Sequence, residues 1–275
     1  MSRRKTATKI IDYLEKRINC ENIMRYTDEY LDNNSPDKSL VIDEVPVSFT
    51  IIPYNANENY SRQLVSTEGD REDKPDFNDI KHMFDVFDFM TEANNTGFEH
   101  FPYIYGVLDC LNDIDSTVYV YYEKFDGTLP LLIDNIEHPS DWYDIVFQIV
   151  LIIMYIKYVG KMSFKAAPER FLYKKITKPY YKEYSVGDTT LNINHKYLIV
   201  CWDTNTTDFE GIQNSESSSE NKLPIIDLDF LTEYINVNKD SLKIQPSNRI
   251  IKLIQEIKNQ PDNIPKILVQ YYGPQ

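Results

Sequence analysis

Glycine is scarce in this sequence: there are eight in 275 residues, and none precedes Gly69. A glycine-rich phosphate-binding turn needs backbone N–H groups close to phosphate, which side chains obstruct, so the stretch before Gly69 cannot form one. No P-loop and no GxSxG nucleophile turn occurs anywhere. Cysteine is limited to Cys20, Cys110 and Cys201, widely spaced and odd in number. No disulfide framework and no CxxC metal pair follows from them, and a reducing intracellular compartment fits best.

Positive charge is also in deficit. The chain has 29 Lys and Arg against 43 Asp and Glu, a net charge of −14, which repels phosphate backbones and anionic lipid heads. Neither nucleic acid nor a membrane surface is therefore expected as a partner. Lys174, Lys175, Lys178 and Lys182 do lie close together, and read as a solvated strand-loop face. Long apolar runs are missing too. The longest, Ile145 to Ile156, contains Gln148 and is too short to cross a bilayer, so it predicts a buried helix. The opening Met1-Ser-Arg-Arg-Lys5 lacks the apolar core of a signal peptide. His82, His100, His138 and His195 are scattered, without HxH or HxxxH metal spacing.

Hydrophobic residues make up 42 % and charged residues 26 %, the composition of a globular domain. The frequent Asn, Ile, Lys, Asp and Tyr suggest an AT-rich genome, which bears on origin and not on function. Apolar spacing predicts a helix over Thr8–Tyr30, broken at Asn33-Asn34-Ser35-Pro36-Asp37. Two short strands meeting at Val45-Pro46 are expected in Ser39–Tyr54, and a charged loop over Ser66–Asp76. A helix follows over Phe77–Asn94, then strands Tyr103–Val107 and Thr117–Tyr122 about the turn Asn112-Asp113. Asp141–Tyr158 is the strongest helix, with Ser140 or Asp141 as N-cap. Short strands are expected at Phe171–Tyr173 and Tyr197–Trp202, a polar low-complexity loop at Asn214–Asn221, and closing helices Asp227–Ile235 and Asn248–Lys258. This order predicts an α+β protein with two lobes.

The centre of the chain narrows the reading. His100-Phe-Pro-Tyr-Ile-Tyr-Gly-Val107 is followed by Glu123-Lys-Phe-Asp-Gly-Thr-Leu129, then by a long helix from Trp142 through Phe147-Gln148-Ile149 to Ile156. This succession resembles the protein-kinase-like proteins of large DNA viruses (poxvirus, mimivirus and iridovirus type), over roughly residues 40 to 260. In that family these blocks are the entry to the fourth strand, the hinge between lobes, and the helix before the catalytic loop. The resemblance implies a two-lobed protein-kinase-like fold. Residues 1–38 would form an N-terminal helical extension, 39–122 a small strand-bearing lobe, and 123–275 a mainly helical lobe. Tyr121, Tyr122 and Glu123 would form the hinge, Phe125, Asp126 and Gly127 its exit, and Gly160 to Tyr173 the catalytic loop.

Phosphoryl transfer needs few groups, because it works by positioning and charge neutralisation. The resemblance implies that most of them are replaced. The third strand, Val47-Ser-Phe-Thr-Ile-Ile-Pro53, has Thr50 where the family has the phosphate-holding lysine, and the glutamate partner falls near Asp79. In Met162-Ser-Phe-Lys-Ala-Ala-Pro-Glu-Arg170, Lys165 takes the place of the catalytic Asp and Arg170 that of the Asn. Lysine in its charged form cannot be a carboxylate base, and arginine cannot ligate Mg²⁺. Asp203 matches the metal-binding Asp best, and Asp227 or Asp229 is the alternative. Ala167-Pro-Glu169 mimics the end of an activation segment but lies before Asp203, so it is a coincidence. Asp43-Glu44, Asp227 and Asp229 otherwise read as solvated carboxylates.

The expectation is a pseudokinase that binds a host or viral protein, such as an active kinase or its substrate, without cofactor or catalytic residue. Its place would be inside the host cell, in the cytoplasm or viral factory, or in the virion. Two alternatives stay open: a divergent active serine/threonine kinase using ATP and Mg²⁺ with Asp203 as metal ligand, and a structural virion or assembly protein.

Overall fold

A computed structural model describes residues 2–20, 39–54, 77–110, 116–202, 209–211 and 228–273. It is α+β and divides into two compact units. Of the described residues, those up to Phe125 belong to the first unit and those from Asp126 onward to the second.

The described residues of the first unit form a four-stranded antiparallel sheet and two helices. Helix α1 (Arg3–Arg17) starts where the Ser2 hydroxyl accepts a hydrogen bond from the Lys5 N–H, and its Ala7, Ile10 and Leu14 are buried. The helix thus begins before the predicted Thr8 and ends at Arg17, and residues 21–30 of the predicted Thr8–Tyr30 helix lie outside the described residues. Ser2 caps it earlier, and Ile18 already has extended backbone. Strands β1 (Ser39–Ile42) and β2 (Val45–Tyr54) form a hairpin. Its turn is Asp43-Glu44 and not Val45-Pro46: both residues have positive φ, 49° and 65°, as a two-residue turn matching strand twist requires. Helix α2 (Phe77–Asn95) is close to prediction and buries Ile80, Met83, Val86, Phe87, Met90 and Ala93. Gly97, at φ 97°, ends it, letting the Phe98 N–H reach the Ala93 carbonyl.

Strands β3 (Ile104–Cys110) and β4 (Ser116–Glu123) complete the sheet in the order β1-β2-β4-β3. A bulge between Ile104 and Gly106 bends β3 beneath α1. There the absent Cβ of Gly106 would stand 3.4 Å from the Leu14 side chain. The end of β3 carries a correction to the cysteine reading: Cys110 is disulfide-bonded to Cys20, leaving Cys201 as a buried free thiol. Ninety residues separate the pair, and only the packing of α1 along β3 brings them together. With two of the three cysteines bonded, cysteine usage gives no reason to expect a reducing compartment.

The second unit opens with β5 (Gly127–Thr128) and the short helix α3 (Leu129–Asp134). Helix α4 (Asp141–Tyr158) matches prediction and is buried on almost every side. Ser140 makes no side-chain cap; instead the Asp141 carboxylate accepts from the His138 N–H at 3.1 Å. After β6 (Met162–Phe164) comes a ribbon of two long strands, β7 (Phe171–Val186) and β8 (Thr189–Cys201). Only short strands were expected here. The deciding turn is Gly187-Asp188, with Gly187 at φ 58°, flanked by alternating Tyr184, Val186 and Leu191, Ile193. β5 pairs with β7, and β6 with β9 (Phe209–Gly211). Helices α5 (Asp229–Val237) and α6 (Asn248–Asn259) lie close to prediction. A third, α7 (Ile264–Tyr272), was not expected; Pro265 in its first turn is tolerated, because the N–H that proline lacks has no acceptor there. The predicted Ser66–Asp76 and Asn214–Asn221 loops lie outside the described residues. No helix among the described residues is long and apolar enough to cross a membrane.

Residues with side chains are strained at positive φ, so Glu44→Gly should stabilise the first unit by about 0.5–1 kcal/mol while keeping the Lys9–Asp43 ion pair. A higher urea midpoint at unchanged slope is the expected readout.

Candidate functional site

The residues singled out in the sequence fall into two groups. In the first unit, Thr50 lies in the middle of β2, and its hydroxyl is 3.4 Å from that of Tyr122 on β4. The Thr50 side chain is thus turned to a tyrosine. Tyr121 is buried, its ring 6.1 Å from that of Phe49, and Asp79 is half-buried in the first turn of α2.

Glu123, assigned to the hinge, is engaged in a way the sequence did not suggest. The Arg3 guanidinium grips its carboxylate through Nε at 3.0 and 3.1 Å and Nη2 at 2.6 Å. Nη1 and Nη2 also donate to the carbonyls of Glu99 and Phe101, at 2.6 and 3.0 Å, and the guanidinium lies 5.0 Å from the Tyr103 ring centre. Burial disfavours the arginine's charge, but the adjoining Glu123 more than offsets this and holds its pKa above the ordinary value. Glu123 is only 3 % exposed. Its charge is therefore committed to holding α1.

In the second unit, Lys165 and Arg170 share one loop between β6 and β7. Lys165 is exposed, and Arg170 is half-buried at the end of a single 3-10 turn, Pro168–Arg170. The Arg170 carbonyl accepts from the Trp202 N–H at 2.8 Å, fixing the loop to the end of β8. Burial pushes the neighbouring Cys201 thiol up, and the Arg170 charge opposes this only in part. The structure thus places the two cations in one segment. Asp203 and Asp227 lie outside the described residues. Asp229 opens α5 and pairs with Lys258. Asp126 anchors the start of the unit: its N–H donates to the Tyr173 carbonyl at 2.9 Å, and its carboxylate accepts from the Lys175 N–H at 2.7 Å.

A third cluster was missed. His195, 2 % exposed, places Nδ1 2.5 Å from Asp144 Oδ1 and Nε2 2.7 Å from the Tyr184 hydroxyl. A carboxylate can only accept, so Nδ1–H donates to Asp144, while Nε2 is hydrogen-bonded to the Tyr184 hydroxyl. Gln148 adds a donation to Asp144 at 2.8 Å and one to the Tyr197 carbonyl at 2.9 Å, while its Oε1 accepts from the Ile199 N–H. The chain resembles an acid–base relay, but Tyr184 is 7 % and Asp144 8 % exposed, so none of it meets solvent as a reacting group must. It joins α4 to the β7–β8 ribbon. Gln148 within an apolar run was the one sequence signal for it. Among the described residues, no three His, Cys, Asp or Glu side chains converge as metal ligands.

No protein-family model matches the chain.

Two predictions follow from these charges. Arg3→Ala or Glu123→Ala strands the partner's charge and should cost about 3–5 kcal/mol, whereas Arg3→Met with Glu123→Leu should recover most of it in chemical denaturation. Burial holds the Tyr105, Tyr121 and Tyr197 phenols above their ordinary value of 10.0, Tyr197 at about 12. The folded state therefore binds more protons than the unfolded one above pH 10 or so, and stability should fall as pH rises from there. Tyrosine absorbance should titrate in step with loss of circular dichroism.

Proposed function

We propose that the protein is a pseudokinase of the large-DNA-virus type that acts by binding a host or viral protein and not by transferring phosphate. In this reading the first unit is the small lobe of a kinase-like fold and the second unit the helical lobe. What supports it is the succession of elements: the strand bearing Thr50, helix α2, two further strands, the Asp126-Gly127 exit, the buried helix α4, and the loop bearing Lys165 and Arg170. That is the order in which the family resemblance lays out third strand, helix, fourth strand, hinge, long helix and catalytic loop.

The observation that carries the loss of catalysis is the chemistry at these positions. Thr50 faces a tyrosine hydroxyl and supplies no positive charge for phosphates. Lys165 and Arg170 place two positive charges in a loop that must supply a carboxylate base and a metal-ligating amide. No glycine precedes β2 to let backbone wrap phosphate. The partner is proposed to be an active kinase or its substrate, met inside the infected cell or in the virion.

A thermal-shift scan with millimolar ATP and Mg²⁺ tests the reading. No shift is expected, whereas nucleotide at 100 times its Kd would add about 2.7 kcal/mol of stability. Lys165→Asp with Arg170→Asn should leave phosphotransfer to a generic substrate undetectable, because Thr50 and the missing glycine loop remain. A shift of several degrees that requires Mg²⁺, or transfer by the double variant, would favour a divergent active kinase instead.

A further inference from the structure

We propose that the Cys20–Cys110 disulfide is a redox latch that holds the C-terminal end of α1 on the sheet of the first unit. Helix α1 is held at two ends by different chemistry. Arg3 is fixed by Glu123 and two backbone carbonyls at one end, and Cys20 is bonded to the last residue of β3 at the other. Between them Ala7, Ile10 and Leu14 are buried in the core, with Ile11, Tyr13 and Ile18 partly buried against it, while Arg4, Lys5, Thr8, Lys9, Asp12, Glu15, Lys16 and Arg17 are exposed. A helix of 15 residues is marginal in water by itself, so its place depends on this packing together with the two attachments.

The two sulfurs differ in access. Cys20 is half-buried and Cys110 only 7 % exposed. The thiolate of a small or protein dithiol attacks Cys20 Sγ, forming a mixed disulfide there and expelling Cys110 as thiolate, which takes up a proton. The reductant's second thiol then displaces Cys20 and closes the reductant's own disulfide. Two electrons and two protons pass to the protein, and an oxidised dithiol reverses the step. Cys201 is fully buried in the other unit, with its thiol pushed up by burial, so it does not compete in the exchange. Reduction frees the helix end from Leu14 onward and uncovers the sheet around Gly106, while Arg3 keeps the other end in place.

Hydrogen exchange read by mass spectrometry tests this on the full chain, with and without dithiothreitol. Denatured oxidised protein should show one free thiol. Reduction should raise exchange in the last turn of α1 at least tenfold, leave α2, α4 and the β7–β8 ribbon unchanged, and be reversed by oxidised dithiothreitol. Cys20→Ser should exchange like the reduced protein under both conditions. Three free thiols, or equal α1 exchange in both states, would overturn the proposal. So would loss of protection across α2 and β2–β4 together, or failure of Cys20→Ser to fold, since the bond would then be a staple for the whole unit.

Discussion

A polar group taken out of water must find a partner, and both units are organised around places where the chain could not avoid burying one. Helix α4 is the clearest case. It is covered on almost every side, yet carries Asp144 and Gln148 in its first three turns. Their four side-chain polar atoms are met by the His195 ring, by backbone groups of Lys196, Tyr197 and Ile199, and by each other. The β7–β8 ribbon can therefore lie on the helix in only one register. A shift of one residue would turn His195 away and leave the carboxylate with Gln148 as its donor on the helix.

Glu123 plays the same part in the first unit. Its buried carboxylate would be costly by itself, and Arg3 is recruited across 120 residues to meet it. This places α1 over β3, which in turn brings Leu14 onto Gly106 and Cys20 beside Cys110. The N-terminal helix is thus part of the first unit's core. The same arginine that satisfies Glu123 removes that carboxylate from the charges available to a ligand.

Much of the secondary structure was legible because local signals there agreed. Phe77–Asn95 and Asp141–Tyr158 are long, strongly apolar and ended by clear changes in composition. Where the reading failed, a short local device decided the outcome. Positive φ at Asp43 and Glu44 moved a turn by two residues, and Gly187 joined two strands that their lysines had disguised as loops. Proline at the start of α7 concealed a helix that tolerates it. Of the candidate site, the residue types at Thr50, Lys165 and Arg170 were readable in full, since chemistry belongs to the residue. Their surroundings were not: the Tyr122 contact and the engagement of Glu123 depend on chain segments distant in sequence.

The sequence by itself determined where particular residue types fall: no glycine before Gly69, a threonine on strand β2, and cations in the loop after the long helix. It also determined most helices, because a periodic apolar face is a local property. Only the tertiary structure decided the pairings of Arg3 with Glu123, Cys20 with Cys110, and Asp144 with His195. Each joins residues 51 to 120 positions apart. Nothing in local propensity brings such residues together; the packing of helix on sheet does, and burial then leaves each group no other partner.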